Sequence, residues 1–185
     1  MGLPPTRLAE ALIGSARRAR AATTMTATTL SGARVIATHR GNLDEMNLTG
    51  SCFCGVVSYA LSGKPLLSAY CHCTNCQRLT GCPFVHTIHF PASAFTWTHA
   101  ARLDAFVIPD RPWKTRFRCP TCGACVASAN SKAGKYSVGR AARGALEAWD
   151  AVRPTAHIFY GTRMLDVPDA LGKWEGYEGA SARLE

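Results

Sequence analysis

The sequence contains no apolar run close to the length of about 20 residues that a membrane-spanning helix needs. Although 47% of the residues are hydrophobic, they are distributed along the chain in short groups. We therefore expect no membrane partner. At 185 residues, the chain has the length of a single globular domain.

Acidic side chains are also scarce. Asp and Glu number 12 against 21 Lys and Arg, which gives a formal net charge of +9. Between Arg102 and Arg143 the only acids are Asp104 and Asp110. A basic surplus favours anionic partners. Because the sequence shows no recognition helix, RNA-binding signature or interleaved aromatic residues, we predict small anionic molecules or plain solvation rather than nucleic acid.

Residues 1–45 have few acids, many arginines and few residues that could build a core; the acids are Glu10, Asp44 and Glu45. The segment has no apolar stretch of the kind found in a secretory signal, but it has the arginine-rich, amphipathic character of an organellar transit peptide. The alternative is a disordered extension ahead of a start at Met46. We therefore predict a domain over residues 46–180 and a cytoplasmic location, or a mitochondrial one if residues 1–45 are a transit peptide.

The cysteines number nine, which excludes a framework in which every cysteine has an intramolecular disulfide partner. Their spacings are short, and they fall into four groups: Cys52 and Cys54; Cys71, Cys73 and Cys76; Cys82; and Cys119, Cys122 and Cys125. Short paired spacings are typical of metal thiolates in a reducing compartment. We therefore predict metal sites rather than disulfides.

The densest group is Cys71-His72-Cys73-Thr74-Asn75-Cys76, followed by Gln77 and Gly81. Thr74 and Gln77 match the capping box, so the pattern predicts a helix with Thr74 as its N-cap and Gly81 as its stop. Cys76 then lies at the positive end of the helix, where a thiolate is favoured.

In an extended approach to this helix, Cys71 and Cys73 point to one side and His72 to the other. Three thiolates could then converge on one metal ion. A tetrahedral zinc with three protein ligands keeps a position for water or substrate, as catalytic zinc sites do. We interpret Cys71, Cys73 and Cys76 as the catalytic metal site.

A second metal site is predicted from two distant segments. Cys119-Pro120-Thr121-Cys122-Gly123 has the pattern of a zinc knuckle, and Cys52 and Cys54 would lie on the same side of an extended strand. Together these four thiols would form a closed, structural site that ties the first strand to one 65 residues later. Cys82 and Cys125 are interpreted as free or buried thiols.

The remaining pattern is one of short strands separated by Gly and Pro turns, which predicts an all-β domain with short helices. The candidate strands are residues 54–61, 84–90, 95–97, 103–108, 114–118, 136–138 and 157–160, and residues 142–149 are a candidate helix. His86 and His89 are three positions apart on one strand, so they point to opposite faces and are not expected to share a metal.

Residues 50–56, 71–81 and 117–123 together resemble the motif series of the glutathione-dependent formaldehyde-activating enzyme family, which includes centromere protein V. The resemblance covers about residues 48–177. It implies a tent-like fold of packed antiparallel β-sheets and two zinc ions per chain, one structural on Cys52, Cys54, Cys119 and Cys122 and one labile on Cys71, Cys73 and Cys76. It also implies a carbon-sulfur lyase that interconverts S-(hydroxymethyl)glutathione with glutathione and formaldehyde, so that glutathione is a co-substrate.

Glutathione carries two carboxylates, and four basic residues lie near the cysteine motifs: Arg78, Lys114, Arg116 and Arg118. Some of them could pair with those carboxylates, with Arg78 as the candidate in the catalytic motif. The alternative for these four residues is a solvated basic face.

The alternative function for the whole protein is a zinc-stabilised binding module without turnover. Whether the protein is an enzyme or a binding module, we expect residues 1–45 to contribute nothing to the stability of its folded domain.

Overall fold

A computed structural model describes residues 46–100, 102–139 and 149–185 of the chain. Every described residue belongs to one compact unit, residues 39–185. The predictions for residues 1–45 and for most of the helix at 142–149 therefore lie outside the described residues. Among the described helices, none has the length and apolar character that would let it cross a membrane.

The described chain is built mainly of strands, which confirms the all-β prediction. The strands are β1 (Asn47–Ser51), β2 (Ser58–Ser62), β3 (Leu67–Cys71), β4 (Val85–Pro91), β5 (Phe95–His99), β6 (Asp104–Ile108), β7 (Arg111–Arg118), β8 (Cys125–Asn130), β9 (Lys135–Val138), β10 (Ala156–Ile158) and β11 (Gly172–Lys173). The α-helices are α1 (Thr74–Thr80) and α2 (Trp149–Val152), and single 3-10 turns lie at Ala92–Ala94 and Tyr160–Thr162.

The strands form two sheets. The smaller has the order β1-β2-β5, and the larger has the order β11-β10-β3-β4-β9-β8-β7-β6. All pairs are antiparallel except those of β10, which runs parallel to both β3 and β11. The predicted antiparallel packing therefore holds for most of the larger sheet but not for the end that carries β10.

The larger sheet has one apolar face, which packs on the smaller sheet. Ile88 of β4, Val138 of β9 and Ala127 of β8 lie in register on this face and are almost fully buried. Leu61 and Phe95 of the smaller sheet complete the same core. Because each large apolar side chain contributes about 1.5–3 kcal/mol when buried, this layer supplies much of the stability of the domain.

Four strands, β1, β3, β8 and the two-residue β11, have no counterpart among the predicted ones. Their sequences give weak signals because β1 and β8 consist largely of small and polar residues. In β3 the two adjacent residues Ser68 and Ala69 are both buried, which breaks the alternation expected of a half-buried strand.

Among the described glycines, Gly50 of β1 is the one at which a side chain fits least well. It pairs with Tyr59 of β2, and a Cβ at residue 50 would overlap the Tyr59 ring and hydroxyl. That ring is buried and stacks on Phe95 with ring centroids 5.2 Å apart, so it has little room to move. We predict that Gly50→Ala lowers the free energy of unfolding by about 1–3 kcal/mol through overpacking, measured by thermal and denaturant unfolding.

Gly161→Ala is the matched control, because residue 161 is exposed and a Cβ there meets no atom within 4 Å. We expect this control to change stability by less than about 0.5 kcal/mol. Equal stability of Gly50→Ala and the wild-type protein would contradict the packing described for β1.

Candidate functional site

The three-cysteine motif lies where β3 passes into α1. Cys71 is the last residue of β3, and Cys73 is the N-cap of the helix. The Cys73 Sγ accepts a hydrogen bond from the Cys76 backbone N–H over 3.4 Å. The prediction that Thr74 is the N-cap is therefore wrong: the thiol one position earlier caps the helix, and Thr74 is its first residue.

Gln77 also differs from the capping-box prediction, because its side chain does not turn back to cap the helix. Its Nε2 donates to the His72, Thr162 and Pro83 carbonyl oxygens at 2.7, 2.9 and 3.3 Å. Gln77 therefore fastens α1 to two neighbouring segments. The predicted stop is confirmed, since Gly81 has a φ of 71° and its N–H donates to the Gln77 carbonyl.

The sulfur atoms of Cys71, Cys73 and Cys76 lie within 4.8 Å of one another. Hydrogen bonds from the Cys71 and then the Cys76 thiol lower the pKa of Cys73 to about 2. The hydrogen bond with Cys73 is the main reason that the pKa of Cys71 is raised. Without a cation, one thiolate is therefore stabilised by two thiols, whereas a bound cation would allow all three to ionise. This donor set fits a soft divalent metal ion.

The second cluster joins two segments that lie 65 residues apart in the sequence. Cys52 and Cys54 follow β1, and Cys119 and Cys122 lie between β7 and β8. The four sulfurs lie within 4.8 Å of one another, with Cys52 to Cys54 at 3.5 Å and Cys54 to Cys119 at 3.7 Å. Tetrahedral zinc with bonds of about 2.3 Å places its sulfurs about 3.8 Å apart. The four thiols could therefore hold a metal ion.

The backbone around Cys52 and Cys54 corrects one prediction. These residues form a tight turn rather than an extended strand, because the Cys52 N–H donates to the Val57 carbonyl and Gly55 has a φ of 79°. Gly123 repeats this arrangement after Cys122, with a φ of 69° and its N–H on the Cys119 carbonyl. Both cysteine pairs are therefore carried by knuckle-like turns.

Backbone donors point at the sulfurs of these turns. The Val57 N–H donates to the Cys52 Sγ over 3.3 Å. The N–H of Ala124, and next that of Cys54, lower the pKa of Cys122 to about 6. Thiolate is thus favoured at Cys122 even before a cation is present.

The three-cysteine cluster, in contrast, opens onto a cavity of about 350 Å³, which is within the range of small-molecule sites. The opposite wall is the second face of the larger sheet. Its register places two polar rows side by side, and these consist of Lys114, Asn130 and Lys135 in one row and Arg116, Ser128, Ser137 and His89 in the next.

The cavity is strongly basic. Its lining includes Arg111, Lys114, Arg116 and Lys135 but no Asp or Glu among the described residues. Burial first, and then the charges of Arg111 and Arg116, lower the pKa of Lys114. Burial and then Lys114 lower the pKa of Lys135 in the same way. These cations repel one another, so an anion that enters the cavity would relieve the repulsion.

The positive charge of the cavity also affects the pKa of His89. It is buried, and its Nδ1 lies 3.1 Å from the Lys135 Nζ. Burial, followed by Lys135 and Lys114, lowers the pKa of His89 to about 3. The imidazole is therefore neutral at physiological pH, with the Nδ1 accepting a hydrogen bond from the lysine.

The structure separates the predicted basic residues into two groups. Lys114 and Arg116 line the cavity, whereas Arg78 and Arg118 are exposed and are not among its lining residues. Cys82 and Cys125 belong to neither cluster, and both are exposed free thiols. His72 is fully buried and points away from the cavity that its cysteine neighbours line.

Several lining residues have no counterpart among the predicted site residues, including Lys135, His89, Asn130 and Tyr177. The alternation of Lys135 and Ser137, and of Ser128 and Asn130, is the signal that could have indicated a polar sheet face. Tyr177 lies far from the motifs along the chain. It packs on Phe159, whose φ of 56° is unusual for a bulky residue and marks a constrained backbone at the cavity.

Comparison with known proteins places these features in a family. A sequence model described as glutathione-dependent formaldehyde-activating enzyme matches residues 47–162. No curated protein matches the chain. Among solved structures, a structural-genomics crystal structure of a Rhodobacter sphaeroides protein is similar, with 20% sequence identity, a TM-score of 0.44, and coverage of 52% of this chain and 89% of that one. Because the match spans more than half of the sequence and includes both cysteine clusters, the chain belongs to the glutathione-dependent formaldehyde-activating enzyme family.

Proposed function

We propose that this protein is a zinc-dependent carbon-sulfur lyase. Its substrates would be thiol-aldehyde adducts such as S-(hydroxymethyl)glutathione, with glutathione and formaldehyde on the other side of the reaction. Membership of the family supports glutathione and formaldehyde as the small-molecule partners. The observation that carries the proposal is the opening of the three-cysteine cluster onto a basic cavity.

The two clusters would have different roles. Cys52, Cys54, Cys119 and Cys122 provide four sulfurs, which is the complete ligand set of a structural zinc. Cys71, Cys73 and Cys76 provide three, which would leave one position for a substrate atom. A bound zinc at these three sulfurs would supply Lewis acidity toward the thiol sulfur or the aldehyde oxygen.

The reaction itself is a balanced exchange. When the adduct breaks, the electron pair of the carbon-sulfur bond goes to sulfur, the hydroxyl oxygen loses its proton as the carbonyl forms, and sulfur gains a proton. The residues of this chain would contribute orientation, by binding the substrate in the cavity with its sulfur toward the three cysteines. Positioning of this kind can supply several kcal/mol of the barrier reduction.

The basic face of the cavity would orient glutathione through its carboxylates. Lys114 and Lys135 lie in one row across β7, β8 and β9, separated by Asn130. Arg116 lies in the next row, where its Nη1 donates to the Ser128 Oγ over 2.8 Å. A carboxylate near these groups would gain charge-assisted hydrogen bonds and remove part of the mutual repulsion of the cations. Arg78, on the exposed side of α1, would contact only a substrate that extends out of the cavity.

A zinc-stabilised binding module is the alternative on the same fold. It would need the closed four-cysteine site, but it would have no need for three thiols at the mouth of a charged cavity. The open cluster therefore favours the enzyme.

The first prediction of the proposed function concerns metal content. We expect two zinc ions per chain with unequal affinity, because four thiolates enclose a metal while three leave it accessible to competing ligands. Mild chelation should remove one ion and leave the fold intact, as followed by elemental analysis beside circular dichroism. A single zinc, with Cys71, Cys73 and Cys76 freely alkylated in the native protein, would contradict the second site.

The second prediction separates the two clusters by mutation. Cys76→Ser should lower turnover of S-(hydroxymethyl)glutathione by more than about 100-fold, since even the outer partners of metal ligands are worth 10–100-fold. Its melting temperature should stay close to that of the wild-type protein. Cys122→Ser should instead unfold the protein, because the structural site loses a ligand and with it much of its metal-binding free energy.

Formaldehyde release is measured with the spontaneous reaction subtracted. If the wild-type protein adds no rate to this background with glutathione or other thiols, the lyase proposal fails and the binding module takes its place. A Cys76→Ser protein that melts as early as Cys122→Ser would show that both clusters are structural.

The third prediction concerns the charged face. Lys114→Gln and Lys135→Gln should each raise KM for the glutathione adduct by roughly 10-fold or more, since a hydrogen bond to a charged group is worth about 1.5–3 kcal/mol. The hydroxymethyl adduct of 2-mercaptoethanol has no carboxylate, so its kinetics should be almost unchanged.

Lys132→Gln is the matched control, because Lys132 is exposed, lies over the Trp113 ring and does not line the cavity. Arg78→Gln, measured beside it, tests whether glutathione extends to α1. Equal KM changes for the charged and the neutral adduct would show that Lys114 and Lys135 do not recognise carboxylates.

A further inference from the structure

Behind the three-cysteine cluster, three side chains form a continuous hydrogen-bonded chain. His72 Nε2 lies 2.8 Å from His157 Nδ1, and His157 Nε2 lies 3.0 Å from Asp169 Oδ2. Both imidazoles are fully buried, whereas the Asp169 side chain is about one-third exposed, at 34%. We call this chain the Asp169 relay. It lies outside the cavity, and Asp169 itself is beyond the residues that the family model matches.

The hydrogen bonds of the Asp169 relay determine which ring nitrogen carries the proton in His157 and in His72. An ionised carboxylate only accepts hydrogen bonds, so His157 must carry its proton on Nε2 and leave Nδ1 as an acceptor. His72 must then donate from its own Nε2. This assignment leaves His72 Nδ1 without a proton, and that atom is buried without a hydrogen-bond partner. Asp169 thus sets the tautomer of an imidazole that it does not touch.

The backbone of His72 is held as firmly as its ring. Its N–H donates to the Ile158 carbonyl at 3.0 Å, and its carbonyl accepts from Gln77 Nε2 at 2.7 Å and from Thr162 Oγ1 at 3.0 Å. The ring also packs against Tyr160, with ring centroids 4.9 Å apart. His72 is therefore held through both its ring and its backbone.

We propose that His72, His157 and Asp169 are positioning residues for the three-cysteine metal site. Side chains alternate along an extended backbone, so a restraint on the ring of His72 fixes the directions of Cys71 and Cys73 on either side of it. Outer partners hold metal ligands in position in the same manner. The inference rests on the metal site of the proposed function, but it concerns the metal affinity of that site rather than its turnover.

The test is metal binding by the full-length chain. Asp169→Asn should weaken Zn2+ and Co2+ binding at the three-cysteine site by about 10- to 100-fold, as loss of an outer partner does elsewhere. The four-cysteine site of the same molecule should keep its affinity. Competition with a chelator gives both constants, and the cobalt absorption bands report any change of ligand geometry.

Asp166→Asn is the matched control, because Asp166 is a nearby, exposed aspartate whose partner is Arg163 rather than the relay. It should leave both affinities unchanged. Equal weakening of both sites by Asp169→Asn, unchanged affinity at both, or failure of that variant to fold would each overturn the positioning role.

A second pair of variants tests the relay without relying on Asp169. An Asn at position 157 can still offer an oxygen near the place of His157 Nδ1, whereas a Leu cannot. His157→Asn should therefore keep more of the three-cysteine affinity than His157→Leu, a difference that loss of packing alone would not produce. Nitrogen NMR of the wild-type imidazoles should show both histidines protonated on Nε2, and protonation of His157 on Nδ1 would contradict the relay. Since none of these measurements uses turnover, the inference and the lyase proposal fail or hold separately.

Discussion

The pleat of the four adjacent strands β4, β9, β8 and β7 governs both the stability and the chemistry of this domain. Side chains of one parity, such as Ile88 and Val138, form the core with the smaller sheet. Side chains of the other parity, such as Lys114 and Lys135, form the floor of the cavity. Because a slip of one residue in the pairing would exchange the two faces, the same register that buries the core also aims the lysines at the cysteines. Core and site therefore depend on one constraint.

The two cysteine clusters show how backbone geometry assigns different roles to the same side chain. In the knuckle-like turns, glycines with positive φ allow backbone N–H groups to point at sulfur, and the two turns together bring four thiols close to one another. At the end of β3, one strand residue, one N-cap and one residue of the first helical turn provide three. No fourth thiol belongs to this cluster, although Cys125 lines the same cavity. The two clusters therefore differ in the number of thiols they bring together, and the proposed roles rest on that difference.

The C-terminal part of the described chain packs against the three-cysteine cluster and its cavity. β10 runs parallel to β3, which brings His157 beside Tyr70 and Ile158 beside Cys71. The turn that follows carries Phe159, and Tyr177 returns to the cavity beside it. A segment far from the cysteine motifs in sequence thus supports the three-cysteine site from behind and also closes part of its cavity.

The sequence by itself determined the strand-rich class, the closely spaced cysteine motifs and the end of α1 at Gly81, because these features follow from local spacing, alternation and glycine conformation. It did not determine that Cys73 rather than Thr74 caps α1, or that Cys52 and Cys54 lie in a turn, since both depend on competition between neighbouring donors and acceptors. Only the tertiary structure decided which basic residues face the cysteines. Lys114, Lys135 and Asp169 come together with the motifs through strand pairing and side-chain contacts between distant segments, and distances of that kind are not encoded in local pattern.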